Sequence, residues 1–481
     1  MSDSLRSNSK TEDQTKLLVI FSAGGKGTRI QSLNSTVPKP MIPIAGKPIL
    51  QWGIENLVAQ GYDKFIITVS HLADVITDYF GDGSKFGCSI EYYTETEPLG
   101  NAGALFKMME SRRIEEETSF LYFIADAIFD IDADRFWRYH CEHQALASLF
   151  CHPNSHPFDS SVLVTAEDGR VVQWLNKEDQ RPEWYKNQVN AGLQILSTEL
   201  LKMSGIKPEE VGTGEGQRKV DLDRDILKPL LSSNRIFAYH SSEYCKDAGT
   251  PDRFHVVEDD IVSGRVSSKN LSRPQKAVFL DRDGTINRYV GFLRKIDQFE
   301  LLPTAAEAIK LINASGYLAI IVTNQPVIAR GEVTPSELDN IHAKLETELG
   351  NDGAYVDGIY ICPHHPDKGF AGEIPSLKFD CDCRKPKPGL LLTAAADFNI
   401  SLEESWMIGD SWRDVQCGQS AGCKTIFLNG EGTETESNQK NGNSREQTHS
   451  ATFGAPDLLS PTVCFNVCSD LLEAVKSILG S

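Results

Sequence analysis

The chain lacks any long apolar run. No stretch of its 481 residues approaches the roughly 20 apolar residues that a membrane-spanning helix requires. Its opening residues, MSDSLRSNSKTEDQ, are polar where a secretory signal would be apolar. We therefore expect a cytoplasmic protein with no membrane partner.

Positive charge is scarce relative to negative charge. Lys and Arg number 48 against 67 Asp and Glu, which gives a formal net charge of -19. The negative electrostatic field of such a chain repels polyanions, so the composition argues against a nucleic-acid partner. Small phosphorylated ligands remain compatible with it, because a few basic groups and backbone amides can bind an anion locally.

The cysteine usage does not indicate a disulfide framework. The 11 cysteines are an odd number in a long chain without a secretory signal, which favours free thiols or a metal site. Most are dispersed, whereas Cys362, Cys381 and Cys383 lie in one short stretch.

The order of the apolar segments predicts α/β domains in tandem. At roughly 150 residues per domain, the length allows two or three domains. Strand-like runs such as KFIITVS alternate with amphipathic helical stretches, and the alternation resumes at KAVFLD. We expect two Rossmann-like three-layer αβα domains over residues 16–262 and 276–481. The other stretches are predicted to be a disordered arm (1–15), a Ser-rich linker (263–275) and a disordered insertion (431–457).

A basic segment stands out near the start of the first domain. Between Lys16 and Ile54 there are five basic residues and no acidic one. A glycine-rich loop within it follows an apolar strand, and its amides can face phosphate oxygens. A plain strand-to-helix turn has the same composition, so the loop alone leaves both interpretations open. The candidate phosphate-binding residues of this loop are Gly24, Gly25, Gly27 and Thr28.

The longer string SAGGKGTRIQSLNSTVPKPMIPIAGKPIL resembles the signature of the sugar-phosphate nucleotidylyltransferases. The resemblance implies the nucleotidyltransferase fold. It also implies that Arg29 and Lys39 are catalytic, neutralising phosphate charge while a sugar phosphate attacks the α-phosphorus of a nucleotide and pyrophosphate leaves. Positioning and charge stabilisation are what such a transfer requires of a protein.

Two further segments match the same family in the expected order. EPLGNAGAL, which contains Gly100, is similar to the loop that borders the nucleobase. The resemblance implies that Asp126 and Asp247 bind Mg²⁺, and two carboxylates with phosphate oxygens and waters suit that ion. The chain departs from the family at Ala125, where relatives commonly have glycine before the first metal aspartate.

The sugar side of the site is also implied by the resemblance. The strand VNAGLQIL, with Asn190 and Gly192, is similar to the strand that lines the sugar. Lys177 is expected to contact the sugar phosphate. The family commonly has a Glu-Lys pair here, whereas this chain has Asn176 before the lysine.

Polar residues end the predicted strands of the second domain. Ligands collect at the carboxyl ends of strands in open parallel sheets, so these residues should share one site. They are Asp281, Thr323, Asn324 and Asp410.

FLDRDGTIN resembles the first motif of the haloacid-dehalogenase-like phosphatases, which implies their fold for this domain. The resemblance implies that Asp281 is a nucleophile forming an aspartyl-phosphate, and that Asp283 protonates the leaving oxygen and then activates water. Mg²⁺ would be bound by Asp281, the backbone carbonyl of Asp283 and Asp410.

The remaining motifs of that family follow in order. Thr323 and Asn324 match its second motif and Lys385 its third, and both motifs bind phosphate. For Asp414 two roles stay open, a hydrogen bond within the site or the cap of the next helix.

The segment CPHHPDKGFAGEIPSLKFDCDCRKPKPG combines a metal-ligand pattern with basic residues. Its C-x-H and C-x-C pairs predict a structural Zn²⁺ site with four protein ligands. The resemblance favours His364 over the adjacent His365. The ligands are therefore Cys362, His364, Cys381 and Cys383.

This zinc loop is similar to that of the D-glycero-D-manno-heptose 1,7-bisphosphate 7-phosphatases and, less closely, to that of the histidinol-phosphate phosphatases. Its basicity favours a bisphosphate, with Arg384 binding the phosphate that is spared while Lys385 serves the one that is cleaved. At Pro326 and Val327 the chain departs from relatives, which usually have Ser-Gly.

The two halves together predict consecutive reactions. Removal of the 7-phosphate leaves a heptose 1-phosphate, the substrate class of a sugar-1-phosphate nucleotidylyltransferase. The first half resembles the D-glycero-α-D-manno-heptose 1-phosphate guanylyltransferases, so the chain would use GTP and make GDP-heptose. Glu95 or Glu97 could accept the N1–H and N2–H₂ donors of guanine.

Three alternatives stay open at this point. The same chemistries could act on another sugar phosphate or nucleotide, or on histidinol phosphate. The chain could be a regulatory protein whose first domain binds sugar nucleotides without turning them over. It could also have a purely structural role. The anomer and the oligomeric state, a homo-oligomer included, are not determined by the sequence.

Overall fold

Two sheets, each covered by helices on both faces, form the two halves of the chain. The computed structural model describes residues 16–24, 37–433 and 466–480. The predicted fold class, α/β with two three-layer αβα domains in tandem, is confirmed. The predicted arm (1–15) and most of the predicted insertion (431–457) lie outside the described residues.

The first half carries short strands around a mixed sheet. Its described strands are β1 (Val19–Ser22), β2 (Pro43–Ile44), β3 (Lys47–Pro48), β4 (Lys64–Val69), β5 (Ser89–Thr94), β6 (Ser119–Ile124), β7 (Ala127–Asp130), β8 (Ala147–His152), β9 (Val162–Thr165), β10 (Val171–Leu175), β11 (Val189–Ser197), β12 (Ile236–His240) and β13 (Tyr244–Asp247). Its described α-helices are α1 (Ile49–Val58), α2 (Ala73–Phe80), α3 (Gly103–Glu110), α4 (Ala133–Glu142), α5 (Thr198–Met203), α6 (Pro251–Val262) and α7 (Arg265–Ser268).

The main sheet of this half runs β10-β9-β11-β6-β1-β4-β5, with β8 beside β11 and β12 beside β8. β1 pairs in parallel with both β4 and β6, so that Ser22 lies opposite Ile124. The ends of β1 and β6 therefore meet at one edge of the sheet. That edge places Asp126, two residues beyond β6, beside the chain that leaves β1.

The second half is an open sheet in which every pair of neighbouring strands is parallel. Its order is β16-β15-β14-β17-β18-β19. The described strands are β14 (Lys276–Leu280), β15 (Tyr317–Asn324), β16 (Gly358–Cys362), β17 (Trp406–Gly409), β18 (Lys424–Leu428) and β19 (Asn466–Cys468). The described α-helices are α8 (Ala305–Ala314), α9 (Pro335–Asn351), α10 (Gly389–Phe398), α11 (Trp412–Ala421) and α12 (Leu471–Leu479).

Local sequence explains where the longest of these helices begins. The Thr334 hydroxyl accepts the Glu337 amide (3.2 Å), and the Glu337 carboxylate accepts the Thr334 amide (2.8 Å). This capping box satisfies backbone donors that the first turn of α9 would otherwise leave free. Pro335 occupies the first helical position, where its missing N–H costs nothing.

The stretch predicted as a linker is packed, not open. Part of it forms α7, and Lys269, Asn270 and Leu271 are buried. Its polar residues are used for contacts with the first half, because Asn270 Nδ2 donates to Asp130 at 2.6 Å. Residues 263–275 thus contribute to the contact between the halves.

A buried carboxylate of the first half fixes this stretch. Glu243 is 2% exposed and accepts the backbone N–H groups of Asp132 (2.6 Å) and Leu271 (2.9 Å). It also accepts the Ser241 hydroxyl at 3.0 Å. Burial raises the pKa of Glu243 to about 7, against an ordinary value of 4.5.

Among the described residues, no helix has both the length and the apolar composition to cross a bilayer.

We expect Glu243→Gln to stabilise the protein at alkaline pH relative to the wild type. Between pH 4.5 and 7 the folded state holds a proton on Glu243 that the unfolded state has lost, so wild-type stability falls as the pH rises through this window. Glutamine keeps an oxygen acceptor without the charge and avoids this loss, which amounts to about 3 kcal/mol. The difference in thermal midpoint, variant minus wild type, is the quantity to measure. It should be a few degrees larger at pH 8 than at pH 5.

The exposed Glu142→Gln on α4 is the matched control and should show no such pH-dependent difference. A midpoint difference for Glu243→Gln that is the same at pH 5 and pH 8 would contradict the prediction.

Candidate active sites and metal centre

The carboxyl ends of β14, β15 and β17 bring the predicted residues of the second half together. Asp281 follows β14, Thr323 and Asn324 end β15, and Asp410 follows β17. Because these strands are adjacent and parallel, their ends open on the same edge of the sheet.

One lysine connects three of the loops at this edge. The Lys385 side chain is 2% exposed, and its Nζ lies 2.8 Å from Asp281 and 2.7 Å from Asp414. The same ammonium donates to the Val322 carbonyl at 2.8 Å. Asn324 holds the backbone of Lys385 through a reciprocal pair of hydrogen bonds, each 3.0 Å long. The amide of Asn324 thus positions Lys385.

Asp414 serves in both of the roles that the sequence left open. One of its oxygens accepts the Ser411 amide at 3.1 Å in the capping box of α11, and the other pairs with Lys385. Burial, followed by the Asp414 carboxylate, raises the pKa of Asp281 to about 6, whereas Lys385 opposes that shift. A positive charge beside Asp281 therefore favours its nucleophilic, ionised form.

Asp283 is surrounded by hydrogen-bond donors. Arg282, which is fully buried, donates to both of its oxygens, with the shorter contact at 2.8 Å. Asn287 donates to one oxygen at 3.0 Å and Gln325 to the other at 2.9 Å. Burial works to raise the pKa of Asp283, but Arg282 and these hydrogen bonds hold it below its ordinary value. Gln325 also donates to the buried Thr323 hydroxyl at 2.9 Å.

The carboxylates at the strand ends fit a divalent cation. Asp281, Asp410 and Asp414 each offer an oxygen, and these oxygens lie within 4.8 Å of one another. Hard oxygen donors are the ligands that Mg²⁺ prefers. Gly284, with φ of +84°, allows Asp410 to approach, because a Cβ there would lie 1.8 Å from the carboxylate. The side chain of Asp283 is held apart from this trio by its own partners.

Two guanidinium groups of the neighbouring loops form no ion pair with a carboxylate of the described residues. Arg384 is half-buried and donates to the His364 carbonyl at 3.2 Å. Arg330 lies between the rings of Phe292 (4.1 Å) and Phe370 (4.3 Å), and its buried Nε has no hydrogen-bond partner. Burial lowers the pKa of Arg384, and the like charge of Arg330 adds to that shift. Arg330 was missed from the sequence, since a lone arginine in a loop carries no distinguishing pattern.

The four predicted zinc ligands form one cluster. The Sγ atoms of Cys362, Cys381 and Cys383 lie 3.2 to 3.5 Å apart, and His364 Nδ1 lies 3.2 Å from one of them and 3.8 Å from another. A tetrahedral zinc with bonds of about 2.3 Å places its ligands about 3.8 Å apart, so the set fits that ion. His365 is used elsewhere, because its Nδ1 accepts the Asp367 amide at 3.2 Å.

In the first half, two carboxylates lie at the sheet edge that β1 and β6 share. Asp126 Oδ2 lies 2.5 Å from Lys39 Nζ. Asp247 is in the strand paired with β7, opposite Ala127, and so lies next to Asp126. Asp247 accepts the Gly249 amide and pairs with Arg253 at 2.9 Å. Although burial opposes it, the Gly249 hydrogen bond and the Arg253 and Lys39 charges lower the pKa of Asp247.

The structure distinguishes the two glutamates proposed for the nucleobase. Glu97 is occupied, because it accepts both the backbone N–H (2.8 Å) and the hydroxyl of Thr213. Among the described residues, the Glu95 carboxylate accepts only a long hydrogen bond from the Leu99 amide (3.4 Å), and it lies against Gly24, where a Cβ would approach it to 2.9 Å. Burial raises the pKa of Glu95. Glu95 is thus the acceptor that remains available beside the glycine-rich loop.

Gly100 is required by the packing of the nucleobase loop. Its φ is +87°, and a Cβ there would lie 2.2 Å from the Val220 carbonyl oxygen. Val220 in turn donates its amide to Leu99 at 2.8 Å.

Gly192 lies against Ile124, the last residue of the strand that leads to Asp126. Gly192 donates its amide to the Asn190 side chain at 3.3 Å, and its Cα packs against Ile124, two residues before Asp126. Lys177, in contrast, is 56% exposed and lies 3.8 Å from Glu178. The described contacts do not bring Lys177 to the acidic pair.

Arg253, which pairs with Asp247, was not predicted from the sequence.

The predicted residues Gly25, Gly27, Thr28 and Arg29 lie outside the described residues, so their roles stay predictions.

Comparison with known proteins assigns both halves. The family model described as "Nucleotidyl transferase" matches residues 18–263, and the one for haloacid-dehalogenase-like hydrolases matches residues 382–458. The D-glycero-beta-D-manno-heptose-1,7-bisphosphate 7-phosphatase of Pasteurella multocida is 42% identical over 154 residues, which are 32% of this chain and 81% of that protein. The protein of the same name from Escherichia coli K12 is 37% identical over 158 residues, 33% of this chain and 81% of its own.

Solved structures are similar to each half separately. HddC from Yersinia pseudotuberculosis is 24% identical with a TM-score of 0.43, covering 51% of this chain and 100% of its own. The D,D-heptose 1.7-bisphosphate phosphatase from B. bronchiseptica is 29% identical with a TM-score of 0.34, covering 43% of this chain and 99% of its own. The family and sequence matches show that the first half of the chain belongs to the nucleotidyl transferase family. The second half belongs to the heptose-1,7-bisphosphate 7-phosphatase family, within the haloacid-dehalogenase-like hydrolases. The chain is therefore an enzyme with both activities.

Proposed function

We propose that the chain removes the 7-phosphate of D-glycero-D-manno-heptose 1,7-bisphosphate and then transfers GMP from GTP to the resulting heptose 1-phosphate, forming GDP-heptose and pyrophosphate. The observation that carries the proposal is the pair of phosphate-directed sites in one chain, the second of them in a domain related to heptose bisphosphatases. No observation favours histidinol phosphate or a first domain without turnover. We propose the cytoplasm as its location.

Phosphate removal begins with Asp281. Its carboxylate attacks the phosphorus of the 7-phosphate, and the bond from phosphorus to the sugar oxygen breaks. Asp283, whose pKa the negative charge of the bound phosphate would raise, gives that oxygen a proton. Water then attacks the aspartyl-phosphate while Asp283 takes a proton from it, which releases inorganic phosphate and restores Asp281. Lys385 balances the charge beside the nucleophile. Mg²⁺, held by Asp281, Asp410 and the Asp283 carbonyl, would supply further charge neutralisation.

Recognition of a bisphosphate is supported by the guanidinium groups around this site. Within the described residues, Arg384 and Arg330 form no ion pair with a carboxylate. A phosphate dianion would provide the missing charge and accept hydrogen bonds from both. We assign them to the 1-phosphate that is spared, with Thr323, Asn324 and Lys385 serving the 7-phosphate.

Nucleotidyl transfer takes place at the acidic pair of the first half. The 1-phosphate oxygen attacks the α-phosphorus of GTP, and the bond to pyrophosphate breaks. Asp126 and Asp247 fit a second Mg²⁺, while Lys39 and the predicted Arg29 neutralise phosphate charge. The loop residues Gly24, Gly25, Gly27 and Thr28 are assigned to the phosphates, Gly100 to the base, and Asn190, Gly192 and Lys177 to the sugar phosphate.

The Cys₃His cluster is proposed to bind a structural Zn²⁺ that shapes the loop leading to Arg384. All four coordination positions would be filled by protein, which leaves no position for a substrate. The metal would order residues 362–383 and thereby the chain that enters Lys385.

The two activities should separate by mutation. Asp281→Asn lacks the nucleophile, so phosphate release from the bisphosphate should fall below detection while transfer from supplied heptose 1-phosphate is kept. Asp126→Asn should do the reverse and lower pyrophosphate release about a hundredfold. Phosphate and pyrophosphate assays on both variants check this. Loss of both activities in a folded Asp281→Asn protein would show that the two sites are not independent.

The choice of GTP is tested at Glu95. Glu95→Gln removes the charged acceptor for the guanine N1–H and N2–H₂ groups, so the preference for GTP over ATP in kcat/KM should fall about tenfold. Glu97→Gln is the matched control and should leave the preference unchanged, because Glu97 is bound to Thr213. An unchanged preference in Glu95→Gln would remove Glu95 from base recognition.

Zinc content tests the metal cluster. Cys381→Ser should lower bound zinc from about one ion per chain to a small fraction of that, since a closed tetrahedral site needs all four ligands. Elemental analysis of purified protein measures this. Cys423→Ala, a buried cysteine of the same half outside the cluster, should keep its zinc. Equal zinc in both variants would place the metal elsewhere.

A further inference from the structure

Arg282 links Asp283, the proposed general acid and general base of the phosphatase, to helix α9. The Arg282 side chain is completely buried, with Nη2 on Asp283 and Nη1 3.1 Å from Nε2 of His342. A guanidinium only donates hydrogen bonds, so Nε2 of His342 is the acceptor and the imidazole is neutral. Burial, followed by the Arg282 charge, holds the pKa of His342 well below its ordinary value, in agreement with a neutral ring.

The acceptor on α9 determines how Arg282 can be placed. Without it, Nη1 would be a buried charged donor with no partner, which is unfavourable. The guanidinium would then rotate toward another acceptor and take Asp283 with it, because the two side chains share hydrogen bonds at 2.8 to 3.2 Å. His342 thereby acts on Asp283 without touching the substrate.

The same helix is also contacted by the transferase half, at Asp339 and Thr347. The brace, which we define as residues 184–187, lies along α9. The Thr347 hydroxyl accepts the Tyr185 amide at 2.9 Å and lies 3.0 Å from the Tyr185 carbonyl oxygen. Lys186 pairs with Asp339 at 3.2 Å.

Two further contacts extend the brace. The Asn187 backbone N–H lies near the Glu346 carboxylate and favours its charged form, and Lys344 lies over the Trp184 ring at 5.3 Å. These contacts bracket His342 on both sides along the helix, from Asp339 to Thr347. The brace leads directly into β11, the strand that carries Asn190.

We propose that His342 is a positioning residue for the phosphatase reaction, and that the brace of the transferase half holds α9 so that His342 fixes Arg282 and Asp283. The inference rests on the role proposed above for Asp283. It makes the first reaction of the chain depend on contacts supplied by the domain that consumes its product.

The first test compares two substitutions at His342. His342→Leu removes the acceptor, and His342→Gln keeps an oxygen near the position of Nε2. We expect His342→Leu to lower phosphatase kcat at least tenfold with KM changed less than twofold, and His342→Gln to stay within about threefold of the wild type. A merely structural role would lower the thermal midpoint and the activity of both variants together. Equal loss of kcat in both variants would overturn the proposal.

The second test asks whether the brace acts through His342. Thr347→Val removes the hydroxyl contacts with Tyr185 while keeping the shape of the side chain, and should lower phosphatase kcat several-fold. In the double variant with His342→Leu it should cause no further loss, because both changes act on the same placement of Arg282. Thr393→Val on α10, whose hydroxyl bonds only within its own helix at 3.0 Å, is the control and should keep wild-type kcat. Multiplicative losses in the double variant would overturn the role of the brace.

Assays with both heptose 1,7-bisphosphate and a simple aryl phosphate separate this inference from the proposed function. If the sugar assignment is wrong, the wild type turns over the aryl phosphate alone, and the ratios between variants are still measured with it. If Asp281→Asn retains its activity on both substrates, the proposed phosphatase mechanism itself fails.

Discussion

A single buried ammonium holds the phosphatase site together. Lys385 lies between the carboxylates of Asp281 and Asp414 and donates to a carbonyl of β15, so it connects the loops after three strands. Two buried carboxylates so close together would repel each other, and the positive charge permits both to be present without water. The segment that carries the predicted zinc ligands ends at Cys383, directly before Arg384 and Lys385. A metal bound there would therefore help to position Lys385, although it lies outside the reacting groups. The substrate phosphate enters a site in which Asp281 and Asp414 already share a cation.

The parts of the fold and sites that the sequence predicted are those encoded locally. Asp281, Thr323 and Asp410 each follow an apolar run, and parallel strands bring such positions to one edge whatever the loops do. The Cys₃His set could be predicted because its spacing leaves few other uses for those side chains, and the four side chains do converge. The alternation of strands and helices likewise predicted the two three-layer domains.

What the sequence could not predict depends on contacts between distant segments. Arg282 stands inside a recognised motif, but its partner His342 is 60 residues away and lies on a helix with no distinguishing pattern. The choice of Glu95 over Glu97 required knowing that Thr213 occupies the latter. The polar stretch 263–275 was predicted as a linker from its composition, yet its Asn270 and Leu271 are buried because Asp130 and Glu243 provide partners for their polar groups. Local composition does not contain that information.

The anomer of the sugar decides whether the two reactions can follow each other. The curated relatives of the phosphatase half are named for the β-anomer, whereas the first half resembles transferases for an α-1-phosphate. The most direct measurement is mass spectrometry of the products formed from α- or β-heptose 1,7-bisphosphate with Mg²⁺ and equal GTP, ATP, CTP and UTP. We predict GDP-heptose from one anomer, with one phosphate and one pyrophosphate released for each molecule. Heptose 1-phosphate that accumulates from both anomers without any nucleotide sugar would contradict it.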